Sequence, residues 1–449
     1  MAKVRSQFVC QQCAASFPKW TGKCENCGEW NSLVEQAPVE KGASAVARSS
    51  GCGTALKGVR LSETAVEAAA ERLSTGIADL DTVLGGGFLL GGVVLVAGQP
   101  GIGKSTLLAQ VSAFVAKNHQ VLYVSGEESV SQVKLRAERL GAADASGLQL
   151  ASSSSAEDIA ASIQTGQYEL VVVDSIQTLS LAEISSAPGS VSQITNSSNV
   201  IIRAAKAANT AVILVGHVTK EGSIAGPKVL EHLVDVVLNF EGDRYGGFRV
   251  VRAQKNRYGS TNEAAIFEMD ESGLRIVANP SAALLAERQN LDGSIVLATM
   301  EGARPLLVEI QALVNPTNFG YPKRAASGFD LNRLNLLVAV LEKRTKLSLA
   351  DKDIYINVVG GLKLSDPAAD LAVAMAIASA SAGRKLSDEA VVFGEVGLGG
   401  EVRSASQWHT RIKEAKKLGF TFAIAPKTHK DSFVRGVSDL RQALIDYLQ

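Results

Sequence analysis

The chain has 449 residues, with 45 Lys and Arg against 45 Asp and Glu, and 46% hydrophobic but only 5% aromatic residues. That length allows two or three domains with aliphatic cores, and the balance excludes a generally basic coat while leaving local basic clusters open to nucleic acid. No apolar run is long enough to span a membrane, and residues 1–12 lack the apolar core of a signal peptide, so a cytoplasmic chain with no membrane partner is expected.

Four of the five cysteines fall in the first 27 residues, as Cys10-x2-Cys13 and, ten residues on, Cys24-x2-Cys27. Two such knuckles suit four thiolates set tetrahedrally around zinc. A redox pair is the alternative, but no βαβ pattern precedes the cysteines to support it. A unit of about 30 residues cannot rest on its own core, so the metal supplies much of its stability. Phe17, Pro18, Trp20 and Trp30 are expected to pack over the site. The zinc finger is assigned to residues 1–32. Residues 33–70, rich in Ala, Ser, Gly and Glu, read as a linker that holds the isolated Cys52.

Residues 71–278 form the next domain. Residues 93–97 (VVLVA) read as a buried strand, and residues 106–116 have helical periodicity. Between them lies Gly98-Gln99-Pro100-Gly101-Ile102-Gly103-Lys104-Ser105, which fits the phosphate-loop pattern at every fixed position. Glycines let backbone N–H groups wrap a nucleotide's phosphates at a helix N-terminus. Lys104 reaches the β- and γ-phosphates, Ser105 offers a hydroxyl to magnesium, and Thr106 completes the nucleotide-binding run. Residues 170–173 (LVVV) are an apolar strand ending in Asp174, a carboxylate for the magnesium shell. The strand at residues 121–124 ends at Glu127 and Glu128, and either can orient the attacking water; the alternative for one of them is a charge at the start of the next helix. Residues 211–215 form another buried strand, followed by His217 and Thr219. Residues 184–199 are polar and poorly periodic and read as a loop.

The lead-in at residues 74–87 (STGIADLDTVLGGG) before this phosphate loop resembles the RecA-like ATPases of the RecA, RadA and KaiC group. With the four cysteines in front, the resemblance narrows to the bacterial RadA (Sms) family of repair ATPases. Lys255-Asn256-Arg257-Tyr258-Gly259 resembles the KNRFG motif of that family, with Tyr for Phe. The resemblance implies that one of Glu127 and Glu128 is catalytic, that His217 or Thr219 senses the γ-phosphate, and that residues 184–199 face DNA in a ring. Residues 241–260 carry five basic and two acidic side chains. Lys255 or Arg257 can therefore act as a finger on a neighbour's γ-phosphate. Alternatively the segment contacts DNA phosphates, with Tyr258 stacking on a base.

Residues 285–449 change pattern. Paired strands near 294–298 and 306–310, a helix at 332–341, an Ala-rich helix at 367–382 and a glycine-turn hairpin at 394–403 resemble the proteolytic domain of Lon. Lon-type peptidases use a serine–lysine dyad. Here Pro367-Ala368-Ala369-Asp370 puts alanine at the nucleophile's place, and the lysine's place falls near His409. Without a hydroxyl no acyl intermediate forms, so a peptidase-inactive scaffold is expected. Two basic groups, Lys323, Arg324, Arg333, Lys343, Arg344 and Lys346, and Arg411, Lys413, Lys416, Lys417, Lys427 and Lys430, are candidates for DNA backbone or for solvated surface.

The expected protein is thus α/β: a zinc knuckle, a RecA-like phosphate-loop ATPase core and a Lon-like domain. Its cofactors are ATP, magnesium and zinc. The resemblance implies a DNA-dependent ATPase that binds single-stranded and branched DNA and drives branch migration, as a homo-hexamer cooperating with a RecA recombinase. The alternatives are a KaiC-like regulatory ATPase acting on proteins and a Lon-like protease.

Overall fold

The computed structural model describes residues 7–10, 16–26, 28–30, 32–36, 72–141, 145–217, 229–242, 248–317 and 321–448. They divide into two compact units: Met1–Phe240 with Ala253–Ser260, and Glu241–Arg252 with Thr261–Gln449. Of the residues 71–278 assigned to the ATPase domain, 241–252 and 261–278 fall in the second unit.

The first unit opens with a small antiparallel ribbon. β1 (Gln7–Cys10) pairs with β2 (Ser16–Phe17) on one side and β3 (Leu33–Gln36) on the other. The ribbon thus runs past residue 32, and the first four residues assigned to a linker are a strand of it. The rest of that linker, with Cys52, lies outside the described residues.

β4 (Arg72–Leu73) and β5 (Phe88–Leu89) pair antiparallel around α1 (Ala78–Leu84). Then come β6 (Val93–Gly98), α2 (Lys104–Val115), β7 (Val121–Ser125), α3 (Val130–Arg139), β8 (Leu148–Ser152), α4 (Ala156–Gln164), β9 (Leu170–Asp174), α5 (Val191–Ala208), β10 (Ala211–His217), α6 (Val229–Leu233) and β11 (Val236–Gly242). The strands lie in the order β11-β6-β10-β9-β7-β8, all parallel. Parallel strands are covered on both faces, which is why β6, β7 and β9 read as almost unbroken apolar runs and are buried at every residue. Ser129 starts α3 with a capping box to Gln132.

Residues 184–199 depart from the expected loop. Ser190 caps α5 through the Gln193 amide, and the helix runs from Val191. Ser197 and Ser198 are fully buried, on a helix that packs against α4. Buried serines hid the apolar face from a periodicity count.

In the second unit, β12 (Arg249–Asn256), which contributes its first four residues here, pairs with β13 (Ala264–Asp270), and β13 with β14 (Gly273–Ile276). α7 (Pro280–Leu285), β15 (Ser294–Glu301), β16 (Arg304–Pro316), β17 (Arg324–Ser327), α8 (Leu331–Thr345), β18 (Lys352–Val358), α9 (Asp370–Ala382), β19 (Ala390–Val392), β20 (Glu395–Val396), β21 (Val402–Arg403), α10 (Trp408–Lys417), β22 (Phe422–Pro426), β23 (Val434–Val437) and α11 (Leu440–Tyr447) complete it. Seven of these strands form a mixed sheet in the order β17-β18-β16-β15-β19-β22-β23. α9 is apolar on all sides and buried from Asp370 to Ser379, the mark of a central helix. No helix among the described residues is long and apolar enough to cross a membrane.

Candidate functional site

The first site is built at the carboxyl ends of β6, β7, β9 and β10. β6 ends at Gly98 and α2 begins at Lys104. Gly101 and Gly103, at φ of +76° and +116°, occupy the left-handed region that turns the loop's amides inward. Ile102 is buried and anchors the loop. Gln99, Pro100, Ser105 and Thr106 complete the run around it.

Lys104 is buried, and its Nζ donates to the carbonyls of Gly98 at 2.8 Å and Gln99 at 3.0 Å. It also lies 3.1 Å from Nδ1 of His217. An ammonium has no acceptor, so Nδ1 must accept, which assigns the His217 proton to Nε2. That Nε2 faces Oε1 of Glu127 at 3.5 Å. The same Oε1 accepts from the Ser175 hydroxyl at 2.6 Å. Lys104, His217, Glu127 and Ser175 therefore form one polar chain beside the loop.

The two adjacent glutamates have different settings. Glu128 is held by Arg136 through Nη1–Oε1 at 2.9 Å and Nη2–Oε2 at 2.6 Å, a bidentate pair within the β7–α3 corner. Glu128 is thus engaged by Arg136, whereas Glu127 joins the polar chain beside the loop. Asp174 ends β9, where Oδ2 accepts from the Tyr123 hydroxyl at 2.7 Å. A serine hydroxyl at the start of α2 and a carboxylate at the end of β9 are hard oxygen donors, which fit magnesium shared with phosphates.

Lys255, Arg257 and Tyr258 do not join this cluster. Lys255 Nζ donates to the carbonyls of Glu231 at 2.6 Å and Val234 at 2.7 Å, at the end of α6. Arg257 Nη1 donates to Oδ1 of buried Asp235 at 2.9 Å. Asp235 Oδ2 in turn accepts the backbone amide of Val93, the first residue of β6. The phosphate loop follows the other end of β6, which at ~3.3 Å per residue is roughly 17 Å away. Within the chain these side chains are far from the Lys104 site. Burial, followed by the charge and hydrogen bond of Asp235, pushes the Tyr258 phenol up to about 12. Asn256 donates to the Val83 carbonyl at 3.1 Å, and a Cβ on Gly85 would meet the Tyr258 carbonyl at 2.9 Å. Glycine at 85 is required by that close approach. The KNRYG segment thus clasps α1 and the amino end of the sheet.

In the ribbon, Cys10 and Cys24 are both buried and share a small cluster with Leu33. The Gly28 amide donates to the Cys24 carbonyl, closing the second knuckle. Two buried sulfurs in one cluster fit a zinc site; Cys13 and Cys27 lie outside the described residues, among which no group of three metal-binding side chains occurs. Trp20 and Trp30 were expected over the metal but are 55% and 68% exposed, so Phe17 and Phe8 do the packing instead. The ribbon is tied to α5 through Glu35, whose carbonyl accepts from Ser192 and Asn196 and whose carboxylate accepts from Ser185.

In the second unit, Ala368 and Ala369 are buried at the start of α9. Asp366, just before them, accepts from Arg411 Nη1 at 2.7 Å. Burial works against the Asp366 carboxylate, but the hydrogen bond and charge of Arg411 hold its carboxyl below the usual range. Arg411 is fully buried and also donates to the carbonyls of Ala298 and Ser406. It cannot belong to a DNA-facing group, which corrects that expectation; Arg333, paired with Asp370, is likewise engaged. His409 is exposed and stacks on Trp408.

Sequence reasoning missed Tyr123, Ser175 and Arg136. The signal for Tyr123 was a lone hydroxyl-bearing ring inside an aliphatic strand. Ser175, directly after Asp174, had no such signal. Thr219 lies outside the described residues.

Three family models match the chain: an AAA domain over residues 60–223, a rubredoxin metal binding domain over residues 8–35, and subunit ChlI of Mg-chelatase over residues 335–429. Among curated proteins, DNA repair protein RadA of Bacillus subtilis (strain 168) is 49% identical, over 99% of this chain and 99% of its own length. That of Brucella abortus (strain 2308) is 48% identical over 95% and 92%, and that of Pseudomonas aeruginosa 46% over 95% and 94%. A crystal structure of the RadB recombinase is similar at 26% identity, covering 46% of this chain and 99% of that one, with a TM-score of 0.36.

Proposed function

The chain belongs to the DNA repair protein RadA family, and from that premise we propose that it is a single-strand-stimulated ATPase that drives branch migration of recombination intermediates. As a member of that family it is a repair ATPase with an AAA-type core.

The observation that carries the proposal is the chain Lys104–His217–Glu127–Ser175 beside the phosphate loop. On nucleotide binding, Lys104 exchanges the Gly98 and Gln99 carbonyls for phosphate oxygens. His217 loses its lysine donor in the same step, so it registers whether a γ-phosphate is present. Glu127, oriented by Ser175, holds the attacking water. Ser105 and Asp174 would hold magnesium, which neutralises phosphate charge when bound. Lys255 and Arg257 act on DNA or on a neighbouring subunit's nucleotide, since they lie too far from their own. The ribbon cysteines Cys10, Cys13, Cys24 and Cys27 hold zinc, and the C-terminal unit serves as a scaffold in a cytoplasmic homo-hexamer that works with a RecA recombinase.

The engagement of Lys255 and Arg257 within the protomer favours one second reading, a regulatory ATPase that acts on protein partners. ATP turnover with and without a single-stranded oligonucleotide, with Lys104→Ala as control, separates the two. Stimulation that vanishes in the control supports the motor. Turnover indifferent to DNA sinks it.

A further inference from the structure

Asp174, the carboxylate that ends β9, is held from β7. Tyr123 is 1% exposed and lies on β7, beside β9. In the parallel register Ser125 stands opposite Asp174 and Tyr123 opposite Val172. Residues two apart share a face of the sheet, so the Tyr123 ring lies diagonally behind Asp174 on the same face. Its hydroxyl reaches Oδ2 of Asp174 at 2.7 Å, and Asp174 itself is buried.

A hydroxyl buried in an aliphatic strand costs stability unless it is bonded, and a phenylalanine would fill the same volume without that cost. The bond to Asp174 offsets that cost here and gives the hydroxyl a fixed partner. Facing a carboxylate, which only accepts, the Tyr123 hydroxyl is the donor of this bond.

We propose that Tyr123 is a positioning residue for ATP hydrolysis: its hydroxyl holds one oxygen of Asp174 and thereby fixes the rotation of the carboxylate that faces the metal–nucleotide complex. The assignment rests on the reading of Asp174 as the magnesium-shell carboxylate. Tyr123 touches neither substrate nor metal. Its effect is to spare the incoming complex the work of orienting a free carboxylate. Outer-shell partners of this kind typically change metal affinity about 10- to 100-fold when removed.

The test compares the full-length protein with Tyr123→Phe and Asp174→Asn. Magnesium is titrated against ATP turnover and, separately, against the fluorescence of a bound N-methylanthraniloyl ATP, with parallel binding in EDTA. The volume-conserving Tyr123→Phe is checked for its thermal midpoint. The expected result is a half-saturating magnesium concentration raised about tenfold in both readouts, turnover largely regained at saturating magnesium, and unchanged binding in EDTA. A magnesium curve that overlays the wild type overturns the assignment. Weakened binding in EDTA as well as in magnesium also overturns it, because that marks a general packing defect. If Asp174→Asn leaves the magnesium curve in place, the reading of Asp174 itself fails, and the Tyr123 assignment falls with it.

Discussion

Arg257 and Asp235 meet at 2.9 Å at the amino end of β6, the end away from the phosphate loop. Asp235 is 1% exposed and also accepts from Lys206 at 3.4 Å. The segment that resembles a family signature is therefore a structural clasp within its own subunit as well as a candidate for action outside it. Arg257→Ala leaves a buried carboxylate with a weaker set of partners. A loss of about 1–3 kcal/mol is expected, below that of a fully buried pair because the arginine is half exposed. Urea unfolding measures it. If the segment also serves DNA, Lys255→Ala and Arg257→Ala lower DNA-stimulated turnover while leaving turnover without DNA within about threefold; equal stimulation in both variants removes the segment from the mechanism.

Lys104→Ala is expected to reduce ATP turnover at least 100-fold, an effect of about 3 kcal/mol or more on the barrier. The alanine leaves two carbonyls of the loop without this donor, but removes no backbone bond of β6 or α2, so the far-ultraviolet spectrum and the sedimentation coefficient should hold. Residual turnover near the wild-type rate would mean that the phosphate loop is misassigned.

The two glutamates should separate cleanly. Glu127→Gln is expected to cost 100-fold or more in turnover, on the scale of a lost water-positioning group, with nucleotide affinity retained. Glu128→Gln breaks the pair with Arg136 and should lower the unfolding free energy by about 1–3 kcal/mol, with a much smaller effect on rate. Single-turnover hydrolysis alongside thermal unfolding distinguishes them. The reverse pattern would transfer the catalytic role to Glu128.

Alkaline pH should loosen the amino end of the sheet. The Tyr258 phenol, near 10 when unfolded, is pushed up to about 12 in the fold by burial and by Asp235, with Arg257 and Arg72 opposing. A raised value in the folded state means that its contribution is whole below pH 10 and is lost as the pH rises toward about 12. Tyr258→Phe should therefore lose less stability than the wild type between pH 9 and 11 in matched urea titrations. Parallel curves would show that Tyr258 ionises freely.

Arg411→Met in the C-terminal unit strands Asp366 in a buried place and should destabilise that unit by about 3–5 kcal/mol. Ala368→Ser restores the hydroxyl that a Lon-type site needs but leaves Arg411 and Asp366 filling the space beside it. No casein degradation is expected from that variant. Measurable proteolysis would restore the peptidase reading.

The sequence made the nucleotide site legible where chemistry forces residue type. Glycines, a lysine and a serine at fixed spacing, with apolar strands on either side, leave few alternatives. The same holds for the knuckle cysteines as a pattern. What stayed hidden depended on contacts between distant segments. Glu127 and Glu128 look alike until Arg136, eight residues on, takes one of them. Lys255 reads as a free cation until three carbonyls at the end of α6 are seen around it. Arg411 sits in a run of basic residues and looks solvated, yet it is the largest side chain fully buried in the core. Charge counts along a chain cannot report such pairing, because partners are brought together by topology.

Only three tryptophans serve the chain, and none lies between residues 72 and 260. Trp20 and Trp30 stand in solvent on the ribbon, while Trp408 is stacked between His409 and His429. Tryptophan emission is therefore a report from the two ends of the chain, with the nucleotide site contributing none between them. With Trp408→Phe the remaining signal belongs to the ribbon alone, so a red-shifted, readily quenched spectrum follows that module through metal removal or DNA addition. A single tryptophan introduced on α2 would then light a site that carries no tryptophan background of its own.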